Sequence, residues 1–96
     1  MPPKKLTHRE KQQKEVRQRL GKYAVELSKI KNALNTSDDL ETWRWASLEV
    51  FRAISNDKWP KNNDHDGYDI SANVERMKER ALEIARDAQV GINFMR

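Results

Sequence analysis

Apolar residues in the first third of the chain recur at alternating steps of four and three: Val16, Leu20, Tyr23, Leu27, Ile30 and Leu34. That spacing draws one narrow stripe along a helix, the seam of a coiled coil, with Leu20, Leu27 and Leu34 at heptad position a and Val16, Tyr23 and Ile30 at d. Such a stripe on an otherwise charged helix requires a partner, from the same chain, a second copy or another protein. Ile70, Val74, Met77, Ala81, Ile84 and Ala88 repeat the rhythm near the other end, widened by Leu82 and Ala85. Its alanines permit a close neighbour. Between the seams, at about 100° per residue, Leu40, Trp43, Ala46, Val50, Phe51, Ala53 and Ile54 share one broad helical face. Trp45 and Leu48 point to the opposite side.

Polar punctuation sets the expected boundaries. Residues 1–6, with two prolines and two lysines, predict a disordered basic arm. Thr7 and Glu10 form a capping-box pattern that opens a first helix over 7–34, and Gly21 inside it costs about 1 kcal/mol against alanine. Asn35-Thr36-Ser37 breaks that helix. Thr36 or Ser37 caps a second over 37–54, whose first turn carries Asp38, Asp39 and Glu41, charges that suit the helix dipole. So short a connection makes the two helices antiparallel neighbours. Residues 55–69 have loop composition and exceed the usual connection length. A third helix over 70–90 starts from Asp69 or Ser71 and ends at a Gly91 cap, leaving an apolar tail over 91–96. The pattern predicts an all-α fold within one domain over 7–96: a small three-helix bundle, up-down-up, with helices 1 and 3 long and helix 2 shorter. Dimerisation through the seams is the alternative arrangement.

Composition supports helices over sheets. Charged residues make up 35% of the chain, against roughly 25% in ordinary globular proteins, and only three glycines and three prolines interrupt the pattern. The absence of cysteine excludes disulfides, thiolate metal sites and cysteine nucleophiles. No apolar run approaches the ~18 residues of a membrane span, so no membrane association and a cytoplasmic location are expected. The net charge of +4 is unevenly spread: residues 1–32 carry ten Lys/Arg against three Asp/Glu, and residues 33–73 four against eight. A basic amino-terminal third therefore precedes an acidic middle.

Four groups of residues bear on function. Lys4, Lys5, Arg9, Lys11, Lys14, Arg17, Arg19 and Lys22 supply charge for phosphate contact, although they encircle the first helix instead of forming one stripe. Trp45, Leu48, Trp59, Ile92, Phe94 and Met95 are the candidates for a protein-binding surface, because large apolar and aromatic side chains dominate interface energetics. Asn62, Asp64, Asp66 and Gly67 imitate the opening of a calcium loop, but Asp69 replaces the apolar residue and Asn73 the bidentate glutamate that such a loop needs, which argues against a metal site. Finally, the two histidines, His8 and His65, lack a supporting shell, and the seam positions are apolar. The expectation is a non-enzymatic interaction module, without cofactor or small-molecule substrate, that docks on a larger protein or nucleoprotein assembly as an inhibitor or accessory factor. Nucleic-acid binding through the basic first helix, and a self-associating coiled-coil subunit, are the alternatives.

Overall fold

The computed structural model describes residues 8–36, 38–60 and 69–94, apart from the side chain of Arg9. Three helices make up the fold: α1 (His8–Leu34), α2 (Leu40–Asn56) and α3 (Ile70–Phe94). The chain is an all-α bundle in up-down-up order. At about 1.5 Å per residue, α1 and α3, of 27 and 25 residues, are each about 40 Å long, whereas the 17 residues of α2 span about 25 Å. Two long parallel helices with a shorter antiparallel one between their ends give an elongated molecule of 60 × 28 × 19 Å.

Both seams are buried. Val16 and Leu20 of α1 pack with Ile70 and Val74 of α3 and Ile54 of α2, joined by Tyr23, Val50, Trp59 and Met77. Further along, Leu27 and Ile30 meet Ala81 and Ile84, with Trp43, Ala46 and Phe51 of α2 closing over them. The three helices thus bury the core positions of both seams against one another, while Leu82 beside the second seam stays exposed.

Three boundaries differ from the sequence expectation. Helix α2 starts at Leu40, capped by Asp39 in place of Thr36 or Ser37. The Asp39 carboxylate accepts hydrogen bonds from the Thr42 amide (3.2 Å) and the Thr42 hydroxyl (2.7 Å), two anchors that a hydroxyl cap cannot provide. Its end lies at Asn56, where the Asp57 amide still donates to the Ala53 carbonyl at 3.0 Å. Helix α3 runs through Gly91 to Phe94, so the glycine is not a cap and residues 91–94 of the expected tail form the last described helical turn. A Cβ at Gly91 would lie 2.6 Å from Leu40 Cδ1. The glycine is there because the start of α2 crosses α3 at this point. At its other end α3 opens on Asp69, which takes the Ala72 amide at 3.0 Å, as one of the two expected caps. The Thr7 cap and the calcium-like residues Asn62, Asp64, Asp66 and Gly67 lie outside the described residues.

Two residues of α2 also depart from the wheel. Ala53 is exposed, while Ser47 is fully buried and donates its hydroxyl to the Ala81 carbonyl at 2.5 Å. A small side chain whose donor finds its acceptor on the facing backbone suits the close approach to the alanine stripe of α3.

Candidate functional site

The segment after α2 is fastened to α1 by a compact polar and aromatic group. Trp59 donates its Nε1 hydrogen to the Ile54 carbonyl at 2.9 Å and meets Tyr23 edge-on, ring centroids 6.3 Å apart. The Arg19 guanidinium lies 5.7 Å from the Trp59 ring, donates to the Lys58 carbonyl at 2.9 Å and to Asp57 at 3.4 Å, and pairs with Glu15. Tyr23 donates its hydroxyl to the other Asp57 oxygen at 3.2 Å. Burial, followed by the Asp57 charge and this hydrogen bond, raises the Tyr23 phenol above its ordinary value, against the opposing charge of Arg19. Every group in this cluster has a structural partner. Arg19 therefore leaves the set of cations open to an external anion, and Trp59 closes one end of the bundle instead of projecting from it.

The remaining members of the expected protein-binding surface separate as well. Ile92 is buried in the core, so it is withdrawn from that surface; Met95 lies outside the described residues. Trp45 is 54% exposed on α2 and Phe94 86% exposed at the end of α3. Leu48 is half-buried. Helices α2 and α3 are antiparallel, and the Lys78 ammonium sits 5.6 Å from the Phe51 ring centroid. One turn back along α2 is Leu48; one turn on along α3 is Leu82, itself exposed. That register sets Leu48 and Leu82 at one level of the α2/α3 groove, with Trp45 following along α2. Next to it the Arg44 guanidinium lies 5.7 Å from the Trp45 ring and donates to Gln89 at 2.8 Å, which ties the two helices together beside the tryptophan. Exposed Glu41 and Glu49 stand one turn either side of Trp45, and Glu49 is paired with Arg52 at 3.3 Å.

The basic residues are divided between two flanks of the α1/α3 pair. On one flank Arg19 is bound by carboxylates. On the other, a groove of about 360 Å³ is lined by Arg17 from α1 and by Arg76, Arg80 and Asn73 from α3, with Leu20 and Met77 among the apolar contributors, and Glu10 joins Arg17 and Lys14 in the adjoining hollow. Arg80 also reaches Ser28 across the groove at 3.4 Å. Lys14 stands one turn before Arg17 and is exposed, as are Lys11 and Lys22; Lys4 and Lys5 lie outside the described residues. Arg76 and Arg80 were absent from the sequence-level candidates, because only the parallel pairing of the helices brings them beside Arg17.

Among the described residues no group of three or more His, Asp or Glu side chains is placed to hold a metal ion, and no helix is long and apolar enough to cross a membrane. Comparison of the chain with protein-family models, curated proteins and solved structures gives no match.

Proposed function

We propose that this protein is a non-enzymatic interaction module that docks on a larger protein or nucleoprotein assembly through the α2/α3 strip centred on Trp45. The exposure of Trp45 carries the reading. Of the three tryptophans, Trp43 and Trp59 pack against the core, while Trp45 presents half its surface on a rigid helix, held by Arg44 and continued by Leu48 and Leu82. An aromatic side chain presented in this way loses little conformational entropy on binding and buries a large area.

The test is affinity capture with the wild-type chain and with Trp45→Ala, followed by reconstitution of the captured complex from purified components. Trp45→Ala is expected to keep the wild-type thermal unfolding curve and to weaken the complex tenfold or more. Equal affinity of the two proteins for the purified partner would refute the assignment of this strip.

A further inference from the structure

We infer that the outward face of α1 is a binding surface for the phosphodiester backbone of a nucleic-acid duplex, held by charge without regard to base sequence. Among the three helices the excess charge is confined to one. Helix α1 carries eight Lys/Arg against three Asp/Glu, whereas α2 carries two against two and α3 four against four, so α2 and α3 are neutral and α1 stands at +5. Like charges gathered on one helix repel each other and weaken it, and the core, built from the opposite face, makes no use of them. Within α1 the cations separate. Arg19 turns to Glu15 and Asp57, and Arg17 lines the α1/α3 groove. Lys11, Lys14, Lys22 and Lys29, with Gln18 and Val25 between them, fall within about 80° of one another at 100° per residue. That sector lies opposite the buried Leu20 and Leu27, and all six side chains are exposed. The four lysines extend over about 27 Å at 1.5 Å per residue. At the edge of the face Glu26 reaches Lys29 at 3.7 Å with both side chains more than half exposed, a pair worth little in water that a phosphate can replace.

A duplex backbone suits this face better than other polyanions. Duplex DNA presents one negative charge per about 1.7 Å of its axis and a condensed counterion atmosphere, so a row of lysines meets phosphates along its whole length and gains by releasing those counterions. A helix that lies in a bilayer surface needs a broad apolar face beside its lysines, and of the six side chains here only Val25 is apolar. Single strands are held by bases stacked on aromatic rings; this face carries Gln18 and Val25 where such rings would stand. The Trp45 strip belongs to α2 and α3. The two surfaces are thus separate, and either can fail its test without affecting the other.

Salt dependence tests the inference. Each phosphate neutralised contributes about −0.9 to the slope of log affinity against log salt, so four lysines predict a slope of about −3.6, a loss of roughly 150-fold between 50 and 200 mM salt. Fluorescence anisotropy with a random-sequence DNA duplex should show that slope for the full chain. It should become shallower by about 1.8 in the double variant Lys14→Gln/Lys22→Gln. Arg52→Gln/Arg86→Gln removes the same charge from exposed positions of α2 and α3 and should leave the slope nearly unchanged, as should Trp45→Ala. Circular dichroism verifies that the variants fold. Three results would overturn the inference: the lysine variant keeping the wild-type slope, the arginine variant flattening it as much, or poly-glutamate or phosphatidylserine vesicles displacing the duplex at equal charge concentration.

Discussion

Replacing Gly21 by alanine should stabilise the protein, and the size of the effect follows from the geometry. Gly21 lies in the interior of α1, exposed, and a new Cβ there meets no atom within 4 Å. The substitution therefore removes backbone entropy from the unfolded chain and adds no clash, a gain of about 0.8–1.0 kcal/mol. In a domain of this size that amounts to a rise in Tm of about 4–8 °C. Urea unfolding followed by circular dichroism should show a higher midpoint at unchanged slope. Gly91→Ala is the internal comparison. It sits equally inside a helix, but its Cβ would lie 2.6 Å from Leu40 Cδ1. The leucine tip must turn away, which offsets much of the same propensity gain, so the rise should be less than half that at Gly21. A loss of stability in Gly21→Ala, or equal gains at the two sites, would refute the assignment of open space to one glycine and close packing to the other.

The remaining predictions concern the aromatic and polar contacts. The Tyr23 phenol is raised above its ordinary value near 10 in the folded state, so its contribution to stability is complete below that value and is lost as pH rises through the higher folded one; urea midpoints across alkaline pH should fall less in Tyr23→Phe than in the wild type. Arg19→Ala removes the hydrogen bonds to Lys58 and Asp57 and the stacking on Trp59, and should cost about 1–2 kcal/mol at neutral pH. Trp43 Nε1 is buried without a hydrogen-bond acceptor, so Trp43→Phe discards an unmet donor and should cost less than Trp59→Phe, which breaks the bond to Ile54. The reverse order in paired urea titrations would show that the Trp43 donor has a partner.

The parts of this fold that repeat were legible in the sequence, and the parts that depend on the juxtaposition of elements were not. Both seams follow from spacing, because burial along a helix is periodic, and every seam residue of α1 from Val16 to Ile30 faces the core. Ser47 was hidden because a hydroxyl reads as polar until its acceptor, the Ala81 carbonyl, is in place. Gly91 resembled a cap because only the tertiary crossing with Leu40 gives it another purpose. The cap of α2 was expected at Thr36 or Ser37, with Asp39 only a first-turn charge, because nothing in the sequence shows that its carboxylate bonds Thr42 twice. The surfaces show the same division. Trp45 was identified by its position on the wheel, whereas Arg76 and Arg80 join Arg17 around one groove only because α3 lies parallel to α1.

Helix α1 has its first buried residue at Val16, and in its opening two turns Glu10, Gln12 and Gln13 are no more than half-buried. Those turns gain less packing energy than the rest of the helix to offset fraying, and a polar helical end of that length is marginal in water. Their amide hydrogens should exchange with solvent far sooner than those of Leu27 or Ile30. Opening of α1 should therefore begin at its amino-terminal end and stop at Val16, where the core starts, so exchange followed residue by residue along this helix would mark the edge of the cooperative unit.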